Sequence, residues 1–145
     1  MSQTQFAFLR KESVPSKEKL QASLDALGFD LKLDPEYTPF EDEGFSPCEL
    51  NGEADIGFEI YYEPAEDLLE EDDDEEFKEL IGSNNYAISL CWGGSYKDCI
   101  CVLMVSIALA KDFGATISYG GDGKETIEGM MGGIEECLRE IEKES

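Results

Sequence analysis

The sequence predicts an α+β fold in which residues 1–145 form a single domain. A chain of 145 residues has the usual length of one domain, and few linker signals and no internal repeat divide it. Several short segments alternate apolar and polar residues as strands do, and residues 99–110 are apolar on all sides, as a buried helix is. We therefore expect an antiparallel or mixed sheet of about five strands, packed on this central helix and flanked by N-terminal and C-terminal helices.

The first elements are a strand and an amphipathic helix. Phe6 and Phe8 lie in a short apolar strand pattern. Ser16 is a suitable N-cap for a helix that Gly28 ends, and one face of this helix is apolar at Leu20, Leu24 and Leu27. Residues 29–33 then alternate apolar and acidic or basic side chains, which predicts a second strand.

A long loop and a hairpin are predicted next. Residues 34–47 contain three prolines and five acidic residues, which favours a surface loop. Asn51-Gly52 is a typical hairpin turn that could join residues 48–50 to a strand. That strand is predicted from the alternation of Ile56, Phe58 and Ile60.

The second half of the chain predicts two more strands and two helices. Tyr86, Ile88, Leu90 and Trp92 fall on one face of a strand, and Ser95 is placed to cap the central helix. Gly114 ends that helix, and residues 115–119 form the last predicted strand. A C-terminal amphipathic helix is predicted from the spacing of Ile134, Cys137, Leu138 and Ile141.

Charge is the strongest bias of the composition. Thirty-four Asp and Glu residues face 11 Lys and Arg residues, so the formal net charge is −23. Such a field attracts cationic partners and raises their association rate. It argues against nucleic acid and anionic membranes as ligands, because both are bound through clusters of Lys and Arg. The alternative is that the charge only keeps the protein in solution.

Catalysis, cofactors and metal binding are not predicted. The sequence has no histidine, the commonest general base and zinc ligand, and its five cysteines include no CxxC pair. Cys99 and Cys101 point away from each other if they lie on a helix, so they are not expected to share a metal. The N-terminal residues lack the apolar core of a signal peptide, and the longest apolar run is too short to cross a bilayer. These features predict a cytoplasmic protein with reduced thiols.

The candidate binding residues are an acidic run and four side chains from the strands. The run could steer a basic partner or imitate a nucleic-acid backbone, could bind a divalent cation weakly, or could be a solvated loop or the start of a helix. Its members are Glu70, Glu71, Asp72, Asp73, Asp74, Glu75 and Glu76. Acidic and aromatic side chains are also mixed in protein interfaces, which suggests four anchors. These are Glu59, Tyr61, Tyr62 and Trp92.

Two segments resemble a family of known proteins. Gly57-Phe58-Glu59, and then residues 107–118 with their Ala-Leu-Ala, Gly114 and Ile117, are similar to the helix-turn-strand pattern of small acidic immunity proteins. Bacteria make such proteins to neutralise a cognate antibacterial toxin. In that family an acidic residue follows the last strand residue of the pattern sooner than Asp122 does here. The resemblance implies a stoichiometric inhibitor that occludes a toxin's active site and has no catalytic residues.

The predicted function is therefore the binding of a basic protein, a toxin enzyme, with no nucleic acid, membrane or cofactor involved. One alternative within the binding class is a nucleic-acid mimic or a secretion chaperone. The alternative from another class is a carboxylate-dependent or thiol-dependent hydrolase. The sequence leaves the oligomeric state and the exposed face of the sheet open.

Overall fold

The alternating segments pair into one six-stranded antiparallel sheet in the computed structural model, which describes residues 3–34, 43–71, 75–93, 95–120 and 123–144. The strands are β1 (Gln3–Leu9), β2 (Leu31–Leu33), β3 (Gly44–Leu50), β4 (Glu53–Pro64), β5 (Tyr86–Trp92) and β6 (Thr116–Tyr119). They lie in the order β2-β3-β4-β5-β1-β6. The helices are α1 (Lys17–Ala26), α2 (Ala65–Glu71), α3 (Glu75–Ile81), α4 (Tyr96–Asp112) and α5 (Ile127–Glu144).

The first face of the sheet carries the main hydrophobic core. Helix α4 lies on this face with α1 and α5 beside it. Its middle part is buried at residues 100–102 and 104–109, with Cys101, Val102, Ile107 and Ala108 fully enclosed. This confirms the α+β architecture and the buried central helix expected from the sequence, because a helix without a polar face must be covered by neighbours.

The second face of the sheet is covered at one end only. Helices α2 and α3 place Leu68, Phe77 and Ile81 against Phe8 and Ala87 of the sheet. The rings of Phe8 and Phe77 have centroids 5.6 Å apart, a tilted arrangement that aromatic pairs favour. The rest of this face has no helix on it among the described residues.

Two helix caps match the sequence predictions. The Ser16 hydroxyl accepts a hydrogen bond from the backbone N–H of Lys19 at 3.2 Å, and Ser95 does the same for Asp98 at 3.4 Å. Each serine satisfies an N–H group that has no partner within the helix. Helix α4 begins at Tyr96, directly after the Ser95 cap, and ends at Asp112, two residues before Gly114, as the sequence predicts.

The predicted loop over residues 34–47 is wrong in its last part. Residues 44–47 belong to β3, which pairs with β4 from Gly44 opposite Ile60 to Leu50 opposite Glu53. Pro47 is tolerated because β2 pairs only with residues 48–50, so no neighbour on that side needs a Pro47 N–H group. Residues 35–42 lie outside the described residues.

Candidate protein-binding surface

The uncovered end of the second sheet face forms a continuous surface, which we call the open face. It consists of Phe45 from β3, Glu59 and Tyr61 from β4, Cys91 from β5 and Thr4 from β1. Phe45 lies opposite Glu59, Glu59 opposite Cys91, and Cys91 opposite Thr4. Antiparallel pairing therefore brings side chains from four strands into one row across the sheet.

Two aromatic side chains dominate the open face. Phe45 is 63% exposed and Tyr61 is 38% exposed, although both are large and apolar in most of their atoms. Between them lies the exposed carboxylate of Glu59. Adjacent aromatic and polar groups on a rigid sheet are typical of interfaces that bind another protein. Glu59 lies at the centre of this row, where β4 is paired with Phe45 of β3 on one side and Cys91 of β5 on the other.

Gly57 shapes the open face beside Phe45. A Cβ atom on Gly57 would collide with the carbonyl oxygen of Ser46, and it would lie 3.0 Å from the Pro47 Cα atom and 3.1 Å from the Phe45 ring. Only a residue without a side chain lets β3 and β4 approach this closely. The Gly57 N–H group also donates to Asp98 at 3.0 Å, which fixes β4 to the first turn of α4.

The open face lies in a strongly acidic part of the sheet. The sequences of β3, β4 and β5 contain no lysine or arginine, whereas they contain five carboxylates, at Glu49, Glu53, Asp55, Glu59 and Glu63. The pKa of the Tyr61 phenol is raised, first by desolvation and then by the negative charge of Glu59. A phenol is protonated at neutral pH at its ordinary pKa, and the charge of Glu59 and a hydrogen bond to it make its deprotonation harder still.

Four residues of the predicted acidic run belong to α2 and α3, the helices that cover the other end of the second sheet face. Glu70 and Glu71 end α2, and Glu75 and Glu76 begin α3, where both are exposed. The prediction that this segment forms the acidic start of a helix is therefore correct for Glu75 and Glu76 of α3, because the positive N-terminal end of a helix favours carboxylates. Asp72, Asp73 and Asp74 lie outside the described residues.

The predicted anchors do not all belong to one surface. Tyr62 and Trp92 follow Tyr61 and Cys91 directly, and neighbouring residues of a strand point to opposite faces. Both are therefore on the first face, where Tyr62 is 8% exposed and Trp92 is 6% exposed. The structure brings Glu59 and Tyr61 together and separates them from Tyr62 and Trp92.

Sequence analysis missed Phe45 because it lies in the segment predicted as a loop. The prolines and Gly44 hid a strand pattern in which Ser46, Cys48 and Leu50 are buried and Phe45 is exposed. The alternation of Cys48 and Leu50 was the signal that could have extended the strand back towards residue 44. A surface phenylalanine inside a strand would then have marked the open face.

The thiols with shifted pKa values are poorly suited to nucleophilic chemistry. Burial raises the pKa of Cys99 to about 12, and desolvation also raises the pKa of its neighbour Cys137. A hydrogen bond to Cys101 and burial raise the pKa of Cys48. Reactive cysteines have lowered pKa values, because the thiolate is the nucleophile.

Metal ligands are not gathered anywhere in the part of the chain that the structure describes, where no three His, Cys, Asp or Glu residues form a cluster that could hold an ion. Nor does any helix there have the length and apolarity needed to span a membrane.

Three comparisons with known proteins found no relative of this chain. No protein-family model matches the chain, and searches of curated proteins and of solved structures found no similar protein.

Proposed function

We propose that this chain is a non-catalytic binding protein that neutralises a basic toxin enzyme by occluding its active site, as an immunity protein does. The observation that supports this most is the open face, where Phe45 and Tyr61 are exposed beside Glu59. The three strands that form most of this surface contain no basic residue. A cationic protein surface with an apolar pocket is the complement of such a face.

Binding would proceed in two stages. The net charge of −23 attracts the partner over a distance of about one Debye length, roughly 8 Å at physiological salt. The exposed carboxylates of α3 and Glu59 orient it as it approaches. Phe45 and Tyr61 then enter the partner's surface and hold the complex, because aromatic anchors carry most of the binding energy in protein interfaces.

The open face favours this function over a nucleic-acid mimic. A mimic needs carboxylates at regular spacing in place of phosphates. The row across the open face instead alternates aromatic, acidic, thiol and hydroxyl groups at Phe45, Glu59, Cys91 and Thr4. The upward pKa shifts of Cys48, Cys99 and Cys137 likewise argue against these three thiols as nucleophiles of a hydrolase.

Affinity capture from cells that produce the protein tests the proposal. The bait is the complete chain, and the matched variant is Phe45→Ala/Tyr61→Ala. The control variant is Ile127→Ala/Leu138→Ala, which removes two exposed apolar side chains of similar exposure from α5. The captured protein is identified, its enzymatic activity is assayed, and the purified chain is titrated into the assay.

We expect wild type and the α5 control to retain one cationic protein whose activity falls to zero at an equimolar amount of the chain. The Phe45→Ala/Tyr61→Ala variant should lose that protein. If the captured protein remains fully active in a saturating complex, it is not inhibited and the immunity function is wrong. If all three baits retain it equally, the open face is not the binding surface.

A further inference from the structure

A cavity lies on the first face of the sheet, on the side opposite the open face. It occupies about 680 Å³ between α5, the first half of α4 and the ends of β1, β5 and β6, which is within the usual size of a ligand pocket. Three aromatic side chains and three carboxylates line it. They are Trp92, Tyr96, Tyr119, Glu125, Glu136 and Glu140.

The aromatic wall of this cavity is held in place by contacts within the fold. The rings of Trp92 and Tyr119 have centroids 6.1 Å apart, and the Tyr119 hydroxyl donates to the Gln3 side-chain oxygen at 2.6 Å. Tyr119 is 42% exposed and Tyr96 is 37% exposed, so both rings remain accessible at the mouth. An aromatic wall of this kind attracts cations through the negative faces of its rings.

Two glycines of α5 border the cavity. Gly129 and Gly133 lie one turn apart on this helix. A Cβ atom on Gly133 would lie 3.2 Å from a methyl carbon of Leu103 on α4, so α5 packs close to α4 there. Gly133 therefore helps to fix the position of α5, the helix that carries Glu136 and Glu140.

The charge of the cavity has one sign. None of the described side chains that line it is a lysine or arginine, and Glu125, Glu136 and Glu140 supply three carboxylates. Lys143 approaches Glu140 at 3.2 Å, but it is 71% exposed and lies outside the lining. A donor-rich, flat cation would satisfy the carboxylates and stack on the aromatic side chains at once.

We propose that this cavity binds an arginine side chain of a basic protein partner. Arginine fits better than lysine because its guanidinium group is planar, is weakly hydrated and donates five hydrogen bonds in one plane. One side of the guanidinium would stack on Tyr96 or Tyr119, while its N–H groups would donate to Glu136 and Glu140. This site is on the opposite sheet face from Phe45 and Tyr61, so it does not depend on the function proposed above.

The sole tryptophan of the chain provides a direct test, because Trp92 lines the cavity. The probe is the blocked tripeptide Gly-Arg-Gly, titrated into the complete protein at low salt while Trp92 emission is recorded. Matched probes carry lysine or citrulline, the latter an uncharged analogue of arginine. Amide chemical shifts measured by NMR serve as a second readout, which detects binding even if the emission of Trp92 does not change.

We expect the arginine peptide to bind saturably and the lysine peptide to bind with an affinity at least about threefold lower. The citrulline peptide should not reach saturation over the same range of peptide concentration. Shift changes should concentrate at Tyr96, Tyr119 and the segment of α5 around Gly133. Equal binding of all three peptides, or no shift changes in this region, would contradict the proposal. Lysine binding as tightly as arginine would overturn the choice of arginine.

Two charge-matched variants separate the cavity from the overall field. Glu136→Gln should weaken the arginine peptide roughly fivefold, because it removes a carboxylate of the lining. Glu135→Gln changes the net charge equally on the next residue of α5, outside the lining, and should leave affinity within about twofold. Equal losses in the two variants would assign the binding to net charge alone.

The outcome is independent of the open face. Phe45→Ala/Tyr61→Ala should bind the arginine peptide as wild type does. If the peptide does not bind but partner capture still requires Phe45 and Tyr61, the cavity proposal fails and the proposed function stands. If the peptide binds as expected but no partner is inhibited, the proposed function fails and the cavity proposal stands.

Discussion

The two ends of the second sheet face differ in what covers them. At one end, Phe8 and Ala87 are fully buried beneath α2 and α3. At the other end, Phe45 and Tyr61 are exposed beside the Glu59 carboxylate. Strands β1 and β5 contribute to both ends, with Phe8 and Ala87 at the covered end and Thr4 and Cys91 at the open end, so membership of a strand does not decide which side chains are core and which are surface. The position of two short helices decides it.

This difference separates stability from binding on a single face. Side chains under α2 and α3 are expected to contribute to the free energy of unfolding, whereas those of the open face are expected to contribute to association with a partner.

The largest expected effect is on stability at the covered end. Phe8→Ala should lower the free energy of unfolding by about 3–5 kcal/mol, because it leaves a cavity beside Phe77 in a fully buried cluster. Phe45→Ala, the matched change at the open end, should cost about 1 kcal/mol or less. Urea denaturation of the two variants measures both values. Similar losses would mean that Phe45 is also part of the core.

A smaller loss is expected where β3 and β4 approach each other under the open face. Gly57→Ala should cost about 2–3 kcal/mol, since the new methyl group meets the Ser46 carbonyl oxygen and the strands must separate. Gly93→Ala serves as the control, because a Cβ there meets nothing within 4 Å, and it should change stability by less than about 0.5 kcal/mol. Thermal unfolding distinguishes them. A Gly57→Ala variant as stable as Gly93→Ala would show that the strands can relax.

The acidic run is expected to act on association rate. Replacing residues 70–76 with serine and glycine should slow binding of the cationic partner about tenfold at low salt and flatten its salt dependence. Dissociation should change little, because the aromatic anchors remain. Stopped-flow mixing over a series of salt concentrations provides the measurement. An unchanged association rate would remove the steering role.

The smallest expected effect is a pH dependence of the free energy of unfolding that comes from the partly buried thiol of Cys99 on α4. The pKa of Cys99 rises from 9.0 to about 12 in the folded protein, so the folded state holds this proton more tightly than the unfolded state. The contribution is complete below about pH 9 and is lost as the pH rises towards 12. Cys99→Ala should therefore show a shallower fall in unfolding free energy over this range. If the unfolding free energy of wild type and of Cys99→Ala falls with the same slope between pH 9 and 12, the raised pKa of Cys99 is contradicted.

The fold could be predicted from the sequence further than the candidate surface could. Local patterns are enough to predict some elements. The alternation of Tyr86, Ile88 and Leu90 predicts a strand, and the uniformly apolar sequence of α4 predicts a buried helix. The exposure of Phe45 depends on how far β3 extends and on where α2 and α3 lie, which local patterns do not contain. The same limit explains why Tyr62 and Trp92 were grouped with Tyr61. Their side of the sheet follows from strand alternation, but which side is covered follows from tertiary packing.

The affinity of the captured cationic protein for the Phe45→Ala/Tyr61→Ala variant tests the open face most directly. The account predicts a loss of about 100-fold or more relative to wild type, because two aromatic anchors are removed from the centre of the interface. The Ile127→Ala/Leu138→Ala control should keep wild-type affinity, and both variants should remain folded by circular dichroism. A folded Phe45→Ala/Tyr61→Ala variant that binds its partner as tightly as wild type would contradict the claim that the open face is the binding surface.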